Sequence, residues 1–273
     1  MGSIKEEVKI SGIGLMSGEN CDVHIFPSDK KGIRFFVPNA KDAIEAIVEN
    51  VVSTQNCTVL ANENGQVRLV EHFMAACAIC GLDSLDICIS NIELPIFDGS
   101  AKKWVELFEK AGFESTKTEV KIDKPIYFIK GDTVISLMPS DELSVTYLLD
   151  FNHPDLEQKW VCSDLRNISG IQEARTFGYL KDLEKFQQMG LAKGVSLENT
   201  LGLTDNSYTS DLRSDLEPIK HKILDLIGDF KLAGINLQDL KVTVIAKQAG
   251  HFSHVEMAKI IKKELNLIVG EIK

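Results

Sequence analysis

The stretch from His221 to Asp229, reading HKILDLIGD, constrains this chain more than any other. It is apolar at Ile223, Leu224, Leu226 and Ile227, yet it carries His221, Asp225 and Asp229 at intervals of four. On an α-helix, offsets of four and eight residues rotate by about 40° and 80°, so these three side chains lean to one side. Asp215 as N-cap, Pro218 in the first turn and Gly234 past the end bracket the helix. A histidine and an aspartate four apart also form ordinary helix-surface pairs, and this segment alone leaves that reading open. The other reading is that two of the groups hold one metal ion.

A second segment, Val70-Glu71-His72-Phe73-Met74-Ala75-Ala76, sets a carboxylate and an imidazole at the start of an Ala-rich helix. Polar groups on so apolar an element need partners. A catalytic zinc site takes three protein ligands and keeps a fourth position for water, and His72, His221 and Asp225 meet that count. Glu71 then stands beside a ligand without being one, where a base for the water belongs. The alternative is that Glu71 and His72 decorate a helix start, where carboxylates are favoured.

Net charge narrows the chemistry. The 273 residues carry a formal charge of −10 with no basic stripe, which argues against nucleic acid as a partner and for a small-molecule substrate. No apolar run approaches the roughly 18 to 20 residues of a membrane span, and the start, MGSIKEEVKI, is polar, so a cytoplasmic protein is expected. Cys77-Ala-Ile-Cys80 is a C-x-x-C, but no second pair completes a thiolate metal site, and core packing explains it better.

Strand-like runs at 7–10, 21–26, 32–37 and 67–70 precede the helix of 71–80, closed by Gly81, and the alternating strand 85–89 follows. A further helix is expected over 101–111. The polar stretch ESTKTEVKID then suggests a boundary near 115–122. Strands at 125–129, 134–138, 143–151 and 241–246, with helices around 180–189, at His221 and over 254–265, repeat the same logic. The fold expected is α+β in two similar domains, 1–117 and 118–273, each a sheet layered against helices, with a site in the cleft between them.

Several motifs in order carry a resemblance over nearly the whole chain: Gly12-Ile13-Gly14-Leu15, Val70-Glu71-His72, ELPIFDGSA from Glu93 to Ala101, Asp150-Phe151-Asn152-His153-Pro154, Ala174-Arg175-Thr176-Phe177-Gly178, Gly190-Leu191-Ala192, His221 to Gly234, and Gly250-His251. On these the chain resembles the UDP-3-O-acyl-N-acetylglucosamine deacetylases, zinc amidases of lipid A synthesis in Gram-negative bacteria. The resemblance implies His72, His221 and Asp225 as ligands of Zn²⁺, with Fe²⁺ also suited to such a site. It makes Glu71 the general base and His251 the general acid, a residue that the reading of spacings does not reach.

By the same likeness Thr176 donates to the oxyanion, and Asp229 orients His251 and favours its charged form. Lys222 complements anionic parts of the substrate, although it could equally be a solvated helix residue. Asp150 and Phe151 correspond to the uridine contacts, with Phe151 offering a stacking face. Phe177, Leu180, Asp182, Leu183, Ala192 and Val195 fall in the segment that forms the passage for the acyl chain. Core-facing positions of an amphipathic helix are the alternative for Leu180 and Leu183.

Three departures stand out. Met16 replaces a histidine usual after the Gly-Leu of the first turn, Val195 replaces a glycine, and Phe252-Ser253-His254-Val255 follows the acid. Val195 predicts a preference for a shorter acyl chain. His24, His153 and His254 read as structural. The expected function is release of acetate from a UDP-linked, O-acylated N-acetylglucosamine by a monomeric zinc enzyme. The rivals are an amidase for another N-acyl amino-sugar nucleotide and a non-catalytic sugar-nucleotide or lipid-binding regulator.

Overall fold

The computed structural model describes residues 1–115, 119–163, 165 and 168–271. Two five-stranded sheets organise the chain. The first contains β1 (Val8–Ile13), β2 (Asn20–Pro27), β3 (Gly32–Phe36), β4 (Ile44–Glu45) and β5 (Ser84–Ile89), in the order β1-β2-β5-β3-β4. The second contains β6 (Ile126–Lys130), β7 (Thr133–Pro139), β8 (Ser144–Leu149), β9 (Lys159–Ser163) and β10 (Val242–Lys247), in the order β6-β7-β10-β8-β9.

The two orders are the same pattern. In each sheet the last strand enters the middle, antiparallel to the second strand and parallel to the third. A parallel neighbour needs a crossover connection, usually helical, and each central strand is preceded by a helix. Before β5 comes α1 (Glu71–Cys80), with α2 (Lys102–Ala111) after it. One-turn α3 (Ser169–Gln172), α4 (Leu180–Gln188) and α5 (Glu217–Lys231) precede β10, and α6 (His251–Glu271) follows it. The expected α+β architecture of sheets layered with helices is what forms. The expected boundary at 117/118 falls on residues outside this description.

The two central helices are buried nearly all round. In α1 every residue but Ile79 is buried, and in α5 every residue but Lys220 and Lys222. Helix α1 packs on the first sheet through Phe73, whose ring meets Phe35 edge-on at 5.6 Å and Trp104 of α2 at 5.0 Å. Helices α1 and α5 then pack on each other, and Gly228 is the reason they can. A Cβ at that position would lie 2.0 Å from the Glu71 carbonyl oxygen and 3.1 Å from the Ala75 nitrogen. The apolar residues of both sheets and both helices therefore form one continuous core.

Helix ends follow local chemistry with two corrections. Helix α1 spans the expected residues and closes on Gly81 at φ 67°, a left-handed C-terminal cap. Asp215, however, does not cap α5. The residue before the helix is Leu216, which provides no side-chain cap, and the Glu217 and Ile219 N–H groups donate to the Ser214 and Leu216 carbonyls instead. Helix α6 starts at His251, three residues before the expected His254. The Ser253 hydroxyl accepts from the Gly250 N–H and donates to the Gly250 carbonyl, fixing the first turn there.

Cysteine usage agrees with the core reading. All six are free, and Cys77 and Cys80 are buried, where desolvation pushes both thiols up, Cys80 to about 12.

Candidate metal centre and its cavity

The side chains expected to hold a metal ion converge. Asp225 Oδ1 lies 3.3 Å from His221 Nε2 and 3.7 Å from His72 Nε2. Two ligands held at about 2.0–2.1 Å on a tetrahedral ion stand about 3.3 Å apart, so the spacing suits one small cation. The imidazoles cross edge-on with centroids 5.1 Å apart. One of these side chains comes from the first turn of α1 and two from successive turns of α5, so the close approach at Gly228 brings them together.

Bonding and charge in this cluster fit a divalent ion. His221 Nδ1 lies 3.0 Å from the Ala174 carbonyl oxygen, which can only accept, so Nδ1 carries the hydrogen and Nε2 keeps its lone pair. Burial pushes His221 down and His72 down to about 3, which favours the neutral form that ligates. Burial alone would raise Asp225, but His221, Lys222 and His251 hold it well below the usual carboxylate range. Asp225 Oδ1 is buried without a hydrogen-bond partner. An unpaired buried carboxylate oxygen costs free energy that a cation would recover. Two imidazoles and one carboxylate are a borderline donor set suited to Zn²⁺ or Fe²⁺.

Glu71 and His251 flank this group. Glu71 Oε2 accepts from the Thr58 N–H at 3.0 Å, while Oε1 lies 3.7 Å from His251 Nε2. Burial, reinforced by the Asp229 and Asp225 carboxylates, pushes Glu71 up to about 7. Burial works against charge on His251, but Asp229, Asp225 and Glu71 outweigh it and raise that ring to about 9. Asp229 Oδ2 takes the His251 Nδ1 hydrogen bond at 2.8 Å, the relationship expected of those two residues. The same Nε2 of His251 lies 3.8 Å from Asp225 Oδ2.

A cavity of about 470 Å³ is lined by Glu71, His72, His221, Asp225 and His251 together with Thr176 and Lys222. All six positions expected for the acyl passage, Phe177, Leu180, Asp182, Leu183, Ala192 and Val195, also line it. Asp150 and Phe151 do not. Asp150 accepts from the Gln158 N–H, and the Phe151 ring stacks on Tyr179 at 5.8 Å. A second cavity, of about 640 Å³, borders Asn152, His153 and Lys181 and shares Tyr179 and Leu180 with the first. Lys222 places its ammonium 2.7 Å from Asp225 Oδ2, so in this structure its charge faces that carboxylate.

Three residues of the site escape sequence reasoning. Thr58 donates from its backbone N–H to Glu71 and from its hydroxyl to Asp229, the latter at 2.7 Å. His254, expected to be structural, lies 3.0 Å by its Nδ1 from Asp229 Oδ2. Tyr147 lies 3.0 Å by its hydroxyl from His254 Nε2. For His254 a signal exists: on a helix that starts at His251, a residue three positions on shares its face.

The sequence profile of the UDP-3-O-acyl N-acetylglycosamine deacetylase family matches residues 2–263. Among curated proteins, a UDP-3-O-acyl-N-acetylglucosamine deacetylase of Leptospira biflexa is 37% identical, with 96% of this chain and 90% of the relative covered. The protein of that name from Geotalea uraniireducens is 38% identical over 86% of this chain and 80% of its own length. The Helicobacter pylori protein is 33% identical over 85% and 82%.

Proposed function

The chain belongs to the UDP-3-O-acyl N-acetylglycosamine deacetylase family, and we propose that it hydrolyses the N-acetyl group of a UDP-3-O-acyl-N-acetylglucosamine, releasing acetate, in lipid A biosynthesis. The observation that carries this reading is the convergence of His72, His221 and Asp225 beside Glu71 and His251 on one cavity. The ion is zinc or iron(II), held by those three residues. When bound, it supplies Lewis acidity and lowers the pKa of water toward neutrality.

The chain's own groups handle the protons. Glu71, held near neutrality by burial and anchored through Thr58, takes the proton of the attacking water at Oε1. The Thr176 hydroxyl, on the cavity wall, donates to the oxyanion of the tetrahedral intermediate. His251, protonated and fixed at Nδ1 by Asp229, gives its Nε2 proton to the departing amine. Lys222 holds Asp225 in its ligating rotamer. The acyl chain lies along Leu180, Leu183, Ala192 and Val195, and the nucleotide contacts Asp150 and Phe151. The enzyme acts as a cytoplasmic monomer; among the described residues no helix is long and apolar enough to cross a membrane.

The test is an assay of the purified, zinc-loaded chain with UDP-3-O-acyl-N-acetylglucosamine, following acetate and free amine. Acetate release abolished by a chelator supports the proposal. Turnover only of a different N-acyl sugar nucleotide, or binding without turnover, overturns it.

A further inference from the structure

One oxygen of Asp229 serves two histidines. Oδ2 lies 2.8 Å from His251 Nδ1 and 3.0 Å from His254 Nδ1, while Oδ1 accepts from the Thr58 hydroxyl at 2.7 Å. A carboxylate only accepts, so both imidazoles carry hydrogen on Nδ1. The two rings stand 6.2 Å apart at 84°, converging on that oxygen from one turn of α6. The far side of His254 is also held. Its Nε2, which keeps a lone pair, is 3.0 Å from the Tyr147 hydroxyl, whose single hydrogen is shared between that nitrogen and the carbonyl of Ala249, 2.7 Å away and two residues before His251.

We propose that His254 is a positioning residue for His251, acting through Asp229, an inference that rests on the deacetylase reading above. His254 is fully buried and lines neither cavity, so it does not touch a substrate. Its effect is on the carboxylate. With Oδ1 tied to Thr58 and Oδ2 held by two converging N–H groups, Asp229 cannot rotate without breaking one of them. His251 therefore meets its acceptor at one place and one angle, and its Nε2 is aimed at the cavity. Tyr147, on the central part of the second sheet, anchors His254 and the segment leading into His251 together. Thus β8 sets the orientation of a ring at the start of α6 through a buried polar chain.

The test uses the full zinc-loaded chain. His254→Phe keeps the ring and removes both hydrogen bonds; kcat is expected to fall about tenfold, with KM and metal content close to wild type, because a proton donor has been misaimed. The amide nitrogen of His254→Asn falls near the place of Nδ1, so that variant should recover most of the loss. In an Asp229→Asn background, His254→Phe should cost nothing further. A readout independent of turnover is the NMR signal of the His251 Nδ1 hydrogen, expected to move in His254→Phe and return in His254→Asn. If His254→Phe does not fold, His254→Gln, whose amide reaches toward Nε2 and leaves Asp229 short of a donor, replaces it. Unchanged kcat with an unmoved His251 signal, or a further loss in the Asp229→Asn background, overturns the proposal. A wild-type chain inactive on the sugar nucleotide would refute the deacetylase reading instead, while the NMR comparison would still decide the role of His254.

Discussion

Gly228 of α5 sits against the backbone of Glu71 in α1, so closely that a Cβ there would fall 2.0 Å from the Glu71 carbonyl oxygen. The obstacle is main chain and cannot swing aside. Gly228→Ala should push the helices apart, at the upper end of the roughly 1–3 kcal/mol typical of overpacking. It should also widen the gap between His72 and the His221 and Asp225 side chains of α5. A lowered melting temperature together with weaker zinc retention is expected; loss of stability with unchanged metal affinity would separate helix packing from site geometry.

Glu71→Gln removes the proposed base while keeping the shape and the partner at Thr58. Zinc content should remain one per chain, while turnover falls by about 10²–10⁴, the usual contribution of general acid–base catalysis. Metal analysis alongside initial rates checks this, and a variant that loses zinc would mean that Glu71 is a ligand.

Asp225→Ala leaves two imidazoles without their carboxylate and should abolish tight metal binding. Dialysis of the wild type against a chelator should stop turnover, and added zinc should restore it. Since the ion binds only the folded chain, its removal should also lower the melting temperature. An ion present at 100 times its dissociation constant stabilises by about 2.7 kcal/mol.

Glu217 predicts the acid side of the stability curve. Burial alone would raise its carboxyl, but Arg175 at 2.9 Å and the backbone N–H groups of Arg175 and Arg213 hold it below its ordinary value of 4.5. A carboxyl lowered on folding contributes stability above its unfolded pKa and loses it as pH falls through the folded value. Below about pH 4.5 the wild type should therefore lose melting temperature faster than Glu217→Gln, whose starting stability at neutral pH is lower. Parallel curves for the two proteins would rule this out.

Val195 lines the cavity and packs against the small apolar cluster of Leu15, Met16 and Ile96. Removing its isopropyl group in Val195→Gly should lengthen the space open to an acyl chain. Rates on substrates of graded chain length should shift toward longer chains. An unchanged optimum would show that another residue sets the limit.

What was legible in the chain was what local periodicity encodes. The Ala-rich run closed by Gly81 defines α1 to the residue, and spacings of four on an apolar helix bring His221 and Asp225 into one cluster. The start of α5 was not legible. Its side-chain anchor is Glu217, engaged by Arg175 from 42 positions away, and no local pattern announces that pair. Likewise Thr58 reaches Asp229 across 171 positions and Tyr147 reaches His254 across 107. His251 entered only through resemblance, because a histidine after a glycine has no spacing signature of its own. The early start of α6 depended on one serine hydroxyl, and it is this start that puts His254 one turn from His251.

The two sheets share one strand order, and in each the helix before the central strand faces its counterpart from the other. The first copy of this pattern carries Glu71 and His72; the second carries His221, Asp225 and His251. Neither half of the polypeptide, expressed by itself, contains the whole set proposed to work together. Fragments divided in the polar stretch between the sheets should thus be inert when separate, and any hydrolysis regained on mixing would count the complexes in which α1 and α5 have found each other.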